Sequence, residues 1–119
     1  MCYMQVLHLY NNKIGDVGLQ AFADALGKGA LPKLESLNLA VNSIGDVGIT
    51  ALATAVGSGA LDKLERLFLS DNAIGDVGMA AFADAVSKGA LPKCTDIDVD
   101  ENPASEEARQ AVQDALEQR

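Results

Sequence analysis

At 119 residues, 49% of them hydrophobic, the chain suits a single domain or a short repeat array and is too apolar for a disordered acidic tail. Three Phe, two Tyr and no Trp imply an aliphatic core with few platforms for base stacking, and nine Lys and Arg against seventeen Asp and Glu (net −8) disfavour a phosphate-binding surface, so no nucleic-acid partner is expected. Two Cys are too few for a disulfide scaffold or a thiolate zinc site, no run reaches the roughly eighteen apolar residues of a membrane span, and no signal peptide is evident; a cytoplasmic setting is expected.

In chain order, Leu7 and Leu9 alternate with Val6, His8 and Tyr10, which predicts a short strand with one buried face. Asn12 closes it, with a side-chain amide able to satisfy backbone groups where the chain turns away. In Ile14-Gly-Asp-Val-Gly18, Asp16 sits where an N-cap carboxylate would start a helix. Gly18, Ala21, Phe22, Ala25 and Leu26 then fall on one apolar face. Gly27 and Gly29 end the helix and Pro32 prevents its resumption.

The same passage then recurs every thirty residues: Ile-Gly-Asp-Val-Gly stands at 14–18, 44–48 and 74–78, and 12–41 shares eighteen of thirty positions with 42–71. Leu37 and Leu39, Leu67 and Leu69, and Ile97 and Val99 mark the later strands; Asn42, Asn72 and Asn102 close them, completing a structural ladder with Asn12. Asp46 and Asp76 repeat the capping position, with Ala51, Leu52, Ala55 and Val56, then Ala81, Phe82, Ala85 and Val86, as helix faces. The resulting frames within one domain, 1–119, are 4–33, 34–63, 64–93 and a degenerate capping repeat, 94–119. In the last, Cys94 replaces the first strand Leu and reads as a small core hydrophobe. Ser105 caps a helix whose inward face is Ala108, Ala111, Val112, Ala115 and Leu116, with Arg109, Gln110, Gln113, Asp114 and Glu117 making the rest polar. Met4 already occupies a strand position, so the expectation is a fragment of a longer array, its uncapped first repeat exposing Leu7, Leu9 and Ile14 to weak self-association.

Strand, turn, helix and return in each unit force parallel strands with helices on one side. The string Leu34-x-x-Leu37-x-Leu39-x-x-Asn42-x-Ile44-Gly45-Asp46-x-Gly48, repeated one period later, resembles leucine-rich repeats of the ribonuclease-inhibitor-like type. The resemblance covers essentially the whole chain and implies an α/β solenoid, a short horseshoe arc with parallel strands on the concave face and helices on the convex face. It also implies a non-enzymatic module that binds another protein, as ribonuclease inhibitors and the sensor domains of nucleotide-binding receptors do. Two other readings stand beside it. Ran GTPase-activating proteins share this repeat type, which raises a regulator of a GTPase, and the near-perfect repetition raises a designed or consensus-like scaffold.

Sharper chemistry finds little support. Asp96, Asp98, Asp100, Asn102 and Glu107 take the ligand spacing of a calcium loop, but Glu101 replaces the required Gly and Pro103 the apolar eighth residue. Ile97, Val99 and Asn102 meanwhile fit the repeat frame without adjustment, which favours a strand. The glycines complete no phosphate-binding motif. His8 is the only His and has no evident catalytic partner. No catalytic, metal or cofactor site is therefore expected.

The outward strand positions carry the functional expectation. Val6, His8 and Tyr10 become Ser36, Asn38 and Ala40, then Arg66, Phe68 and Ser70, then Asp96, Asp98 and Asp100, changing at every step while the core positions barely vary. Tyr10, Arg66 and Phe68 are interface-anchoring residue types. Residues 96–119 carry eight acids against Arg109 and Arg119, so the partner is expected to bring a basic patch.

Overall fold

The computed structural model describes residues 5–118. Four strands alternate with four helices: β1 (Val6–His8), α1 (Gly15–Gly27), β2 (Ser36–Asn38), α2 (Asp46–Gly57), β3 (Arg66–Phe68), α3 (Asp76–Ser87), β4 (Asp96–Asp98) and α4 (Glu106–Gln118). The strands form one parallel sheet in the order β1-β2-β3-β4. Each residue pairs with the one thirty positions on, Leu7 with Leu37, Leu37 with Leu67 and Leu67 with Ile97. Consecutive helices pack side by side. This is the α/β solenoid that the repeat implies, and the segment with calcium-loop spacing opens as β4, in register with its neighbour, and runs through a turn into α4.

The core lies between the sheet and the helix row. Leu37, Leu39, Leu67, Leu69, Ile97 and Val99 project into it, all at most 2% exposed. The helices meet them with the large apolar residues of the expected faces, Leu26, Leu52, Val56, Phe82, Val86 and Val112, all at most 2% exposed, on a stripe shifted at its edges. Ala21, Ala25 and Ala111 are exposed, whereas Leu19, Ile49 and Met79, absent from the expected stripe, are at most 1% exposed. Ala23, Ala53 and Ala83 complete that buried face. The small alanines flanking the stripe hid this shift, because they satisfy an apolar pattern whether or not they are covered. Each of α1 to α3 ends at a glycine in the left-handed region, Gly29, Gly59 and Gly89 at φ +96°, +102° and +103°, where a Cβ would be strained. Cys94 is buried in the strand-leucine column, its thiol donating to Asp96 C=O at 3.5 Å; Cys2 and Met4 lie outside the described residues.

Two polar ladders join the repeats, and they run in opposite directions. Asn42 is the one buried polar or charged residue among those described, at 0% exposed. Its Oδ1 accepts from the N–H groups of Asn12 (2.8 Å) and Ile14 (3.3 Å) in the repeat before. Its Nδ2 donates back to Leu9 C=O at 2.7 Å and to Leu39 and Ala40 C=O within its own turn. Asn72 repeats this arrangement, and Asn102 keeps the bond from Ile74 N–H and the one back to Leu69 C=O. Asn12 does not: it is exposed, its Nδ2 reaching only Tyr10 C=O at 3.3 Å, because no earlier repeat is present among the described residues.

The aspartates point forward, which corrects the expected local cap. Neither α2 nor α3 has a side-chain bond from its own N-cap, Gly45 or Gly75. Asp16 Oδ1 instead accepts from Gly45 N–H (2.7 Å) and Gly48 N–H (2.8 Å) one repeat later. Asp46 does the same for Gly75 and Gly78, and Asp76 for Ser105. The carboxylate thus caps the neighbouring helix, where orphan N–H groups and the helix dipole both favour a negative charge.

Candidate functional site

The outward faces of the strands form a small grid whose rows are fixed by the sheet register. Val6, Ser36, Arg66 and Asp96 make one row and His8, Asn38, Phe68 and Asp98 the next. Tyr10, Ala40, Ser70 and Asp100 follow where the strands open into their turns. Val6, His8, Tyr10, Arg66, Asp96 and Asp100 are exposed, and Ser36, Asn38, Phe68, Ser70 and Asp98 are half-buried. Ala40, expected outward, is only 8% exposed; as the smallest residue of its row it lies below the level of its neighbours.

Some of these groups are already engaged. Asn38 Oδ1 accepts from Ala40 N–H at 3.0 Å, and Asp98 Oδ1 from Asp100 N–H at 3.1 Å, so both side chains brace the turn that ends their strand. Asp100 also has Arg109 Nη1 of α4 at 4.0 Å. That residue counted as part of a polar outer surface in the sequence; in the fold it brings a positive charge to the acidic end, with its Nε buried and unpaired. Arg66 sits beside Asp96 in the register, yet among the described residues neither forms an ion pair within 4.0 Å. Its guanidinium is available to a partner.

The grid offers contact surface and charge. His8 lies opposite Asn38 on the edge strand, and no described side chain hydrogen-bonds to its ring. A general base needs a positioned nucleophile or substrate proton within hydrogen-bond reach. What the rows do provide is a gradient: apolar and aromatic at Val6 and Tyr10, polar at Ser36 and Asn38, cationic and aromatic at Arg66 and Phe68, then carboxylate at Asp96, Asp98 and Asp100. Among the described residues, no helix is long and apolar enough to cross a membrane.

Comparison with known proteins agrees with this architecture. Among solved structures, the chain is similar to the leiomodin-1 actin-binding site 2, with a TM-score of 0.73 and 17% identity over 97% of this chain and 80% of that one. It is also similar to a Caenorhabditis elegans tropomodulin C-terminal domain, with a TM-score of 0.68 and 15% identity over 97% of this chain and 83% of that one. At such identities the likeness speaks for the fold. A search of curated proteins finds no match. The leucine-rich-repeat family matches residues 1–23, 30–53 and 62–83, more than half of the sequence and one segment in each of the first three repeats. The chain belongs to the leucine-rich-repeat family.

Proposed function

We propose that the chain is a non-enzymatic protein-interaction module of the cytoplasm that grips a partner on its concave strand face. The observation that carries this reading is the contrast between the two faces of the same strands. Inward, Leu37, Leu67 and Ile97 are interchangeable aliphatics at most 1% exposed. Outward, the positions beside them pass from Ser36 to Arg66 to Asp96, and from Asn38 to Phe68 to Asp98. Packing constrains the first set; the second is free to be written by a partner.

Phe68 lies in the middle of the grid and supplies the apolar anchor, with Arg66 and Tyr10 as flanking contacts. Asp96, Asp98 and Asp100 call for clustered Lys or Arg on the other side, which salt-sensitive steering would draw in. Leiomodin-1 and tropomodulin domains of this fold support a protein partner in general terms.

Selection of binders from a displayed peptide library against the folded chain tests the reading. Binders enriched in Lys and Arg are expected, losing affinity at least roughly tenfold with Phe68→Ala and little with Gln20→Ala on the helix side. Binders indifferent to every substitution on the strand face would refute it.

A further inference from the structure

The large apolar residues left open on this chain are not scattered. Among the described residues they are Val6, Tyr10, Val17, Val41, Val47 and Val77, and all but Val6 lie along one rim, where the strands turn into the helices. Singly, such residues need no explanation; gathered along one edge they mark a contact surface. The opposite rim, where helices lead back to strands, carries charge instead. The pairs Asp24–Lys28 (3.2 Å) and Asp84–Lys88 (2.9 Å) stand there, with Lys63 and Lys93 exposed beside them.

This rim continues the strand-face grid without a break. Asn11 N–H donates to Ala40 C=O at 3.0 Å, and Val41 and Asp71 N–H donate to Ser70 and Asp100 C=O at 3.1 Å. The turn residues Asn11, Val41, Asp71 and Glu101 therefore stay side by side as one more row of the grid. Beyond the asparagine ladder, the first turns of α1, α2 and α3 present Val17, Val47 and Val77, which are 80%, 56% and 72% exposed. Val47 and Val77 border a shallow groove of about 420 Å³ whose lining includes Thr50 and Ala51.

Packing of the fold accounts for neither set of valines. The other members of the second pentapeptide each have a structural duty. Ile44 is buried, Gly45 and Gly48 donate to Asp16, and Asp46 caps the next helix. The valine has no such duty, yet it stays the same in three repeats while other outward helix positions change, from Gln20 to Thr50 to Ala80. Val41 is the less expected residue. It holds φ +58° with 38% of its surface open, at a turn position that Asn11, Asp71 and Glu101 fill with polar side chains. Strain carried by an exposed apolar residue points to a use outside the fold.

Charge along the rim follows the gradient of the strand face. Lys13 stands at the leading end. Asp71, Glu101 and Glu107 stand toward the trailing end, with Glu107 in the valine position of α4. Among the described residues none of these four forms an ion pair within 4.0 Å.

We propose that the partner of the strand face also saddles this rim, as a folded protein whose apolar side chains cover Tyr10, Val41 and the valine row and whose Lys or Arg side chains meet Asp71, Glu101 and Glu107. The inference rests on the strand-face reading and adds the shape of the partner to it. An extended peptide lying along the strand face touches one side of the rim; a surface that bends over the rim fits a folded body. Charge selects against a second copy, which would bring the same carboxylates to this edge with Lys13 alone in these rows to offset them.

The test uses the full chain and two sets of binders selected against it, one from a displayed library of small folded domains and one from linear peptides. In the folded binders, Phe68→Ala and Val47→Ser are each expected to lower affinity at least roughly tenfold, and Lys63→Ala on the opposite rim to leave it unchanged. Val41→Asn, which relieves the strained turn, should weaken the same binders without destabilising the free chain. Linear binders should respond to Phe68→Ala and not to Val47→Ser. Folded binders that need Phe68 but ignore Val47→Ser and Val41→Asn would confine docking to the strands, overturning the saddle and leaving the strand-face reading intact. Folded binders that need the valines but ignore Phe68→Ala would split the two surfaces and overturn it as well, and indifference to all of these changes would remove both readings. A native chain that sediments as a dimer and becomes monomeric with Val47→Ser would give the rim to a second copy, also against the proposal.

Discussion

Asp16 and Gly48 lie thirty-two residues apart in the chain, and Asp16 Oδ1 stands 2.8 Å from the Gly48 N–H. A Cβ built on Gly48 would come within 2.6 Å of that oxygen and 3.2 Å of the Asp16 Cα. The glycine that ends the pentapeptide is therefore small because the previous repeat's carboxylate and backbone lie against it. Sequence, cap and helix spacing are tied together by this one contact.

Gly48→Ala should destabilise the chain by about 1–3 kcal/mol, because the methyl group must displace a bonded carboxylate and press on backbone. Gly57→Ala, at the last residue of α2 with nothing within 4 Å of the added Cβ, should be neutral or stabilise by up to about 1 kcal/mol. Urea denaturation of the two variants checks the contrast; equal midpoints would mean the close approach at Gly48 is absent in solution.

Asp46→Ala removes the cap from α3, so its effect should appear one repeat away from the substitution. A loss of about 0.5–2 kcal/mol is expected, with faster hydrogen exchange at Gly75 and Gly78 and little change at Gly45 and Gly48. Exchange that quickens at Gly45 and Gly48 instead would restore the local-cap reading.

Removing the side chain of Asn42 leaves the N–H groups of Asn12 and Ile14 without their acceptor and Leu9 C=O without its donor. A buried group so stranded costs about 1–3 kcal/mol and a part-buried one less, and losing these bonds together makes Asn42→Ala one of the most damaging single changes in the chain. Asn38→Ala, which loses one bond to Ala40 N–H in its own turn, should cost about 1 kcal/mol. Asn12→Ala should cost less still, since that residue is exposed and serves no earlier repeat among the described residues. Thermal midpoints in the order Asn12→Ala, Asn38→Ala, Asn42→Ala, from least to most affected, are the expected outcome.

The thirty-residue period made the strands, their register and the asparagine positions legible, because alternation and identity recur without a gap. The partner of Asp16 was not legible. Within one repeat, Asp16 occupies a good N-cap site for its own helix, and only stacking shows that the nearest orphan N–H groups belong to Gly45 and Gly48. The edge of the helix face was misjudged for a related reason, since Ala21 and Ala25 extend the apolar stripe without being covered, while Leu26, Leu52 and Phe82 are buried as expected. Gln113 and Arg109 read as solvent-facing residues of a capping helix. Their roles, a bond to Ile97 C=O and a charge near Asp100, depend on how α4 lies against β4. For the strand-face grid, the sequence supplied the residues and rows, and the structure added which side chains are tied to their own turns.

Val41 holds a strained backbone. Its φ is +58°, in the left-handed region that β-branched residues avoid, and Asn11, Asp71 and Glu101 occupy the same turn position at +61°, +56° and +58°. Val41→Asn should relieve this, stabilising the chain by about 1 kcal/mol less what the half-exposed valine contributes by packing. A lowered midpoint in chemical denaturation would show that packing outweighs the strain.

The association rate between the chain and a basic peptide selected against it, followed from low ionic strength to about 0.15 M, where charges are screened beyond about 8 Å, tests the interaction account most directly. Replacing Asp96, Asp98 and Asp100 with Asn keeps the turn acceptor at position 98 and removes the charge. The account predicts association slowed roughly tenfold at low salt and a flattened salt dependence, with Phe68→Ala acting instead on dissociation. An association rate unchanged by the triple substitution at low salt would contradict it, leaving the acidic strand as a solubilising end of the stack.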